Sequence, residues 1–291
     1  MKRPQLLTVA LDESAEGLAA VHRTILASLP DRWRITRGEA DAAVVFGGKP
    51  DWPSRVETTL AAGSRGVLVT RPTWTDPTTV AALEMARASV GAKIAIESTY
   101  LADASWKEVV PVLRTHAAEA VLIDSLRIAP TSTVARDAGP GLVAHCVEQL
   151  AVISTVVGSM PAVVFMQRAQ GHYALRAESD HRIVNAVGVR GGGEADRLNL
   201  EIIGLARSWR VSFDSGAIAR PAIVEMTDAT GVRALPTNYQ GGRRCAWLEL
   251  HDAIIGTTSI SYDLALLSEC LRLAAPLADG IPETSASGRV G

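Results

Sequence analysis

The sequence predicts an α/β protein in two parts, a shortened parallel-sheet domain followed by an α+β domain with a mostly antiparallel open sheet. Up to about residue 120, short apolar segments alternate with segments of helical periodicity, which is typical of a parallel sheet covered by helices. From about residue 160, polar and apolar residues alternate along several extended segments, as in antiparallel sheets with one covered face. We predict domains at 1–120 and 121–278 and a flexible polar tail at 279–291.

Composition limits the classes of protein that the chain can form. Of 291 residues, 47% are hydrophobic and 21% charged, so the chain can bury a core. The net charge of −2 argues against a nucleic-acid partner, which needs clustered cations. Three scattered cysteines, Cys146, Cys245 and Cys270, fit neither a disulfide framework nor a zinc site, and they indicate a reduced, cytoplasmic location.

No segment has the character of a signal peptide or a membrane span. The apolar run near the N-terminus is short and meets Asp12 and Glu13. The longest apolar region, residues 150–166, is interrupted by Gly158 and Pro161 and is short for a bilayer. We therefore expect no membrane association.

The first domain is predicted from alternating strands and helices. Only five residues, 37–41, separate the second predicted strand from the third, and a parallel crossover needs about ten or more. Either the second segment is not a strand, or it runs antiparallel to a neighbour. The result is a shortened Rossmann-like domain with strands at 6–11, 32–36, 42–46, 66–70 and 93–97, and helices at 18–29, 56–62 and 76–88.

The second domain is predicted from a strand, a long apolar helix and a series of alternating segments. The arginines beside Gly241 and Gly242, Arg243 and Arg244, are interpreted as part of a solvated loop, and residues 191–193 as a glycine turn. The predicted strands are 121–128, 162–168, 172–178, 182–189, 198–204 and 209–213, and the predicted helices are 142–157, 245–255 and 259–277.

Segments 41–52, 61–96, 139–159, 198–216 and 250–274 resemble, in their order and spacing, the Gfo/Idh/MocA oxidoreductases. Thr70-Arg71-Pro72 takes the place of that family's Glu-Lys-Pro segment. The helix from residue 142 takes the place of the glycine-led helix that carries the family's catalytic Asp and His. The resemblance covers most of the chain from about residue 40. It implies a Rossmann-like domain, a mixed-sheet domain that often dimerises, and hydride transfer on sugars, other alcohols, carbonyls or imines.

The sequence departs from that family where the nicotinamide cofactor would bind. The first strand runs into the acidic segment 12–16, and Gly17 is the only glycine there, although pyrophosphate needs a glycine-rich turn. The second strand ends at Arg37 without an acid to bind a ribose. Hence we expect no cofactor. The alternative is NADPH or NADH bound in an altered way, with Arg37 or Lys49 contacting phosphate.

Candidate catalytic residues follow partly from the resemblance. Arg71 stands where the family has lysine; a guanidinium cannot donate a proton near neutral pH but can bind a carboxylate or an oxyanion, unless the residue is structural. The family's Asp and His positions fall at His145 and Gln149, which share a helix face. Glu148 can orient His145 as a general base, or His145 is simply a buried histidine.

Further candidates come from the ends of the strands. Lys49 follows the third predicted strand, where ligands of open parallel sheets bind, or it is an exposed loop residue. Tyr100 resembles a tyrosine of the thiazolinyl-imine reductases in this family, and is either a proton donor or a half-buried aromatic residue. Trp74 is assigned, with Gln149 and Glu148, to substrate binding. The histidines lack metal-ligand spacing, so no metal is expected.

Three functions remain open. The chain is an enzyme that carries out cofactor-free proton transfer, elimination, isomerisation or cyclisation on a small metabolite. Alternatively, it is an NAD(P)H-dependent imine or carbonyl reductase with an atypical cofactor loop. In the third case it is a non-catalytic subunit paired with an active relative. A homodimer through the C-terminal sheet is expected for the enzyme.

Overall fold

The first part of the chain folds into a parallel sheet flanked by helices. The computed structural model describes residues 5–130, 141–169, 171–179, 181–191, 196–215 and 220–278. The strands are β1 (Leu7–Ala10), β2 (Trp33–Ile35), β3 (Ala42–Phe46), β4 (Gly66–Thr70) and β5 (Lys93–Ile96), and the helices are α1 (Glu16–Ala27), α2 (Trp52–Ala61), α3 (Pro77–Val90) and α4 (Ala104–Ala117). The sheet has the order β2-β1-β3-β4-β5.

Both expectations for the second predicted strand are wrong, because β2 forms and runs parallel to β1. Val9 of β1 lies opposite Ile35, the last residue of β2, and opposite Ala42, the first residue of β3. The chain therefore does not return along the sheet between these strands. It only crosses β1 sideways, a distance of about 10 Å for two strand spacings, and a short segment suffices.

Helix α4 is an element that the sequence pattern did not predict. Pro111 lies inside it and weakens a helical interpretation. The helix is fixed at its start by Asp103, whose carboxylate accepts a hydrogen bond from the Trp106 N–H at 3.0 Å. The same carboxylate accepts from the Ala222 N–H at 3.3 Å, so this cap also ties α4 to the second domain.

The second sheet is mixed, and it confirms the predicted fold class. Its strands are β6 (Ala120–Pro130), β7 (Ala162–Ala169), β8 (His172–Ser179), β9 (Arg182–Gly191), β10 (Asp196–Gly204), β11 (Arg207–Ser215), β12 (Ile223–Asp228) and β13 (Gly231–Ala234). They lie in the order β13-β12-β11-β10-β6-β9-β8-β7. Among the described strand pairs of this second sheet, only β6–β9 is parallel. Helix α5 (Leu142–Val157) packs against one face.

The last helices return to the first sheet. Helix α6 (Gly242–Ile254) contributes Trp247 and Leu250 to a core cluster with β1, β3 and β4. Helix α7 (Leu264–Ala278) packs against α3 and α5. The interpretation of Arg243 as a solvated loop residue is wrong, because it lies in the first turn of α6 and its Nε donates to the Glu97 carboxylate at 2.9 Å.

Two predictions fall on residues outside the described ranges. The tail 279–291 and most of the glycine turn at 191–193 belong to those residues.

Gly242→Ala tests the close approach of α6 to the chain that follows β5. A Cβ at this position would lie 2.3 Å from the Thr99 carbonyl oxygen, which is backbone and cannot rotate away. We expect a loss of about 1–3 kcal/mol in the free energy of unfolding in urea. Gly17→Ala is the control: it lies in α1 with open space around it, and should gain up to about 1 kcal/mol. Equal stability of the two variants would contradict this packing.

Candidate functional site

A cavity of about 70 Å³ lies at the carboxyl ends of β4 and β5, beside α5. Its wall contains apolar residues, among them Pro72, Ile96 and Val147. It also carries a concentration of ionisable side chains: Arg71, Glu97, Arg127, His145 and Glu148. Such a concentration in a cleft marks a candidate active site.

Arg127 of β6 is the buried cation of this cavity. Its side chain is 3% exposed and its guanidinium binds Glu148 at 2.9 Å and Asp196 at 3.0 Å. It also lies 4.7 Å from the centre of the Tyr100 ring, a cation–π contact. Burial opposes its charge, but the surrounding anions outweigh that effect and raise the pKa of Arg127.

Helix α5 presents His145 and Glu148 to the cavity one turn apart, as the spacing predicted. His145 is buried, at 8% exposure. The Glu148 carboxylate binds Arg127 with one oxygen and accepts from the Ser98 hydroxyl with the other, at 2.8 Å. Glu148 is therefore held by residues from two other elements, and its proposed orientation of His145 stays a prediction.

Arg71 stands at the cavity mouth in an unusual backbone conformation. Among the described residues it is the one non-glycine residue with positive φ, 48°. Its side chain is exposed, and it forms no hydrogen bond or ion pair with any residue in the described part of the chain. Strained backbone of this kind costs about 1–3 kcal/mol and is concentrated at functional sites.

Gln149 and Tyr100 lie behind the cavity wall rather than in it. Gln149 is fully buried; its amide donates to the Ser125 hydroxyl at 2.7 Å and accepts from the Tyr173 hydroxyl at 2.6 Å. These bonds join α5 to the second sheet. Tyr100 is 1% exposed and packs against Arg127 and the Phe213 ring. Substrate binding by Gln149 and proton donation by Tyr100 stay predictions.

Lys49 and Trp74 lie on the two loops beside the cavity mouth. Lys49 is exposed and follows the turn at Gly47, where an added Cβ would be 2.6 Å from Pro72 Cα. The Lys49 loop and the Arg71 loop are therefore in direct contact. Trp74 is half-buried and packs against the main core. Neither side chain lines the 70 Å³ cavity.

The switch point of the first sheet, between the carboxyl ends of β1 and β3, is occupied by Asp12. Its side chain is 7% exposed, accepts a hydrogen bond from the Phe46 N–H at 2.8 Å, and forms an ion pair with Arg55. Burial opposes ionisation, but the hydrogen bonds from Ser14, Phe46 and Arg55 outweigh it and lower the pKa of Asp12. The neighbouring Glu13 forms a second ion pair, with Arg23.

This arrangement does not fit an ordinary dinucleotide site. In doubly wound folds the pyrophosphate binds at the switch point, on backbone N–H groups and a helix N-terminus. Here the Asp12 carboxylate accepts a hydrogen bond from an N–H of this loop, that of Ser14, at 3.0 Å. Ala15 caps α1 without a side-chain bond, and Glu16 adds a negative charge to its first turn. The loop carboxylates Asp12 and Glu13 are each paired with an arginine of this chain, Arg55 and Arg23.

Sequence reasoning missed two charged residues of the cavity, Arg127 and Glu97. Arg127 was detectable from the alternation along β6, because it lies on the same buried face as Ile123, Ser125 and Ala129. A charged side chain on a buried strand face requires partners. Glu97 gave a weaker signal. It follows β5, and its importance depends on Arg243, which is distant in the sequence.

No group of potential metal ligands occurs in the described ranges. Within the same part of the chain, no helix has the length and apolar character needed to span a bilayer.

Comparison with known proteins supports the fold. No family model and no curated protein matches the sequence. UDP-N-acetylglucosamine 3-dehydrogenase GnnA from Acidithiobacillus ferrooxidans is 13% identical, and the match covers 96% of this chain and 98% of that one with a TM-score of 0.73. Dehydrogenase MviM from Clostridium difficile is 10% identical, over 94% and 99%, with a TM-score of 0.68. The chain therefore has the two-domain fold of the Gfo/Idh/MocA-type oxidoreductases, as its sequence resemblance implied.

Arg127→Met is expected to destabilise the protein, because it leaves Glu148 and Asp196 without their cation. Both carboxylates are about a quarter exposed, 23% and 25%, so we expect a loss of roughly 2–3 kcal/mol, below the value for a fully buried charge. Adding Glu148→Gln should restore part of the loss in urea unfolding. A double variant less stable than the single one would contradict the assigned pairing.

Asp12→Asn is expected to weaken the protein in a pH-dependent way. The lowered pKa means that the carboxylate stabilises the fold above about pH 4, the ordinary pKa of aspartate, and that this contribution disappears as the pH falls through the folded value. Near neutral pH we expect a loss of about 1.5–3 kcal/mol, shrinking toward zero in acid. Glu13→Gln, which removes an exposed pair, should cost less than about 1 kcal/mol. A loss for Asp12→Asn that does not change with pH would contradict the account.

Proposed function

We propose that this protein is an enzyme that moves a proton on a small metabolite bearing a carboxylate and a carbonyl group, without a nicotinamide cofactor. The observation that carries the proposal is Arg71. It is a cation in a strained backbone conformation, without a hydrogen-bond or ion-pair partner among the described residues, at the mouth of a small cavity that also holds His145.

Arg71 supplies the substrate class. A guanidinium binds a carboxylate with two parallel hydrogen bonds, and the other cation of the wall, Arg127, is already paired with Glu148 and Asp196. Lys49 on the adjoining loop adds a positive charge near the mouth. A cavity of about 70 Å³ suits a few heavy atoms, whereas sites for drug-sized ligands occupy roughly 300–1,000 Å³.

His145 supplies the proton transfer. Imidazole exchanges protons close to neutral pH, and α5 places it in the same wall as Arg71. A carbonyl substrate that loses a proton from the adjacent carbon becomes an enolate, whose negative charge the guanidinium of Arg71 can stabilise. No electron acceptor is required, because one proton is removed and one is returned with no change in oxidation state.

The occupied switch point supports a reaction without NAD(P)H. The Asp12 carboxylate and Arg55 satisfy each other where a pyrophosphate would otherwise bind. The alternative function, reduction of an imine or carbonyl with NADPH or NADH, is favoured by the nearly full-length fold match to proteins named as dehydrogenases. In that case Arg71 would contact the substrate and the cofactor would need to displace Asp12.

The second sheet supports a homodimer. Its face opposite α5 exposes apolar residues on three strands, Leu126 of β6, Val189 of β9 and Ile223 of β12, at 37%, 38% and 53%. Apolar side chains on an open sheet face favour a protein partner. A second copy of this chain is the proposed occupant. The alternative occupant is a related, active chain, and in that case the present protein is the non-catalytic subunit of the pair. A cytoplasmic location stays a prediction.

The function is tested by hydrogen exchange into small 2-oxo acids. Pyruvate and 2-oxobutanoate are incubated with the protein in D₂O, and loss of the signal at the carbon beside the carbonyl is followed by NMR. We expect exchange above background, reduced about 100-fold or more in His145→Asn. Arg71→Met should raise KM, since it removes the carboxylate partner.

The control is Arg87→Met, which removes an arginine of α3 that is paired with Glu84 outside the cavity. It should exchange the probes as fast as the unmodified protein. Full exchange by folded His145→Asn and Arg71→Met variants would contradict the proposed function.

A further inference from the structure

A second ionisable group of the cavity, Glu97, is connected to the interior of the first domain. Its side chain is 3% exposed, it lines the cavity, and its Oε1 accepts a hydrogen bond from Arg243 Nε at 2.9 Å. Behind this carboxylate lies His22 of α1, which is fully buried. His22 Nε2 is 3.8 Å from the same Oε1 atom.

The protonation of His22 is fixed by Trp247. The indole Nε1–H donates to His22 Nδ1 at 3.1 Å, so Nδ1 must carry the lone pair. The ring is then neutral, with its proton on Nε2. Burial lowers the pKa of His22, and the charges of Arg243 and Arg71 lower it further, while Glu97 raises it.

The Nε2–H group of His22 has no hydrogen-bond partner among the described residues. A buried donor without a partner destabilises the fold, because it has lost its hydrogen bond to water. Glu97 Oε1 lies 3.8 Å from this nitrogen, and a shift of about 1 Å would convert that distance into an ordinary hydrogen bond. Arg243 therefore already donates to this carboxylate oxygen, and His22 lies close enough to become a second donor to it.

We propose that Glu97 is a catalytic residue of this cavity and that His22 is its positioning residue, which binds the carboxylate when Arg243 releases it. This inference rests on the proposed function and specifies it as an isomerisation with two proton-transfer groups. Glu97 and His145 come from different elements, the end of β5 and α5, and both line the cavity.

The step balances without an oxidant. The Glu97 carboxylate takes a proton from the carbon beside the carbonyl: the C–H bond breaks, its electron pair remains on the substrate as an enolate, and an O–H bond forms on Glu97. Protonated His145 then gives its proton to the same carbon, so that a new C–H bond forms and the carbonyl group is restored. The product is the substrate or its epimer at that carbon. Glu97 is left protonated and His145 neutral, and proton exchange with water returns both groups to their starting states.

The pairing is tested on the free protein by NMR of ¹⁵N-labelled histidine side chains. We expect His22 to carry its proton on Nε2 in the unmodified protein. In Arg243→Gln, the Nε2–H resonance should move downfield, because Glu97 turns onto His22. The move should disappear in Arg243→Gln/Glu97→Gln. A proton on Nδ1, or an Nε2–H resonance that is the same with and without Glu97, would overturn the positioning role.

The catalytic role is tested by exchange of pyruvate and 2-oxobutanoate in D₂O. We expect Glu97→Gln to lower kcat about 100-fold or more, and His22→Gln to lower kcat with little change in KM. Glu249→Gln is the matched control: that carboxylate pairs with Lys107 outside the cavity, and its loss should leave exchange unchanged.

The exchange and NMR experiments distinguish failure of the Glu97 and His22 assignments from failure of the proposed function. Exchange that persists in Glu97→Gln but is lost in His145→Asn overturns the role of Glu97 and leaves the proposed function standing. Absence of exchange in the unmodified protein rejects the proposed function and with it the catalytic role of Glu97. The NMR result still decides the pairing of His22 with Glu97.

Discussion

The buried charge of Arg127 is the constraint on which the site depends. A guanidinium that is 3% exposed must be surrounded by acceptors, and it finds them on α5 (Glu148) and β10 (Asp196). Tyr100, after β5, covers its face. One side chain thus fixes the relative positions of the second sheet, the helix of the cavity and the end of the first sheet. The position of His145 depends on the same contacts, because His145 lies on α5 one turn from Glu148.

The same fold carries a different charge pattern from one built for a dinucleotide. At the switch point, Asp12 and Arg55 satisfy each other and a backbone N–H of β3. At the cavity, Arg71 is left without a partner among the described residues, in a backbone conformation that costs energy. The contrast between the paired charges at the switch point and the Arg71 side chain at the cavity supports the proposal that the reaction takes place at the ends of β4 and β5. Fold likeness alone would not distinguish these two locations.

Local sequence patterns predicted most of the helices and strands. The elements that were predicted wrongly depend on contacts between residues that are distant in the sequence. The apolar strands β3 and β4 and the long helix α5 follow from periodicity. The direction of β2 does not, because it depends on the stagger of three strands. Helix α4 contains Pro111 and is held by the cap from Asp103. For the site, the resemblance placed Arg71 and His145 at the cavity, whereas Glu97 required Arg243 and His22, which lie far away in the sequence.

The central claim is that this scaffold works without a nicotinamide cofactor, and native mass spectrometry of the freshly purified protein tests it most directly. The protein is sprayed alone and with NADH or NADPH at up to millimolar concentration, and an NAD-dependent dehydrogenase is sprayed as a positive control. The account predicts that the chain carries no dinucleotide and takes up neither cofactor. A retained dinucleotide, or saturable addition of one per chain, would contradict the account and establish the reductase in its place.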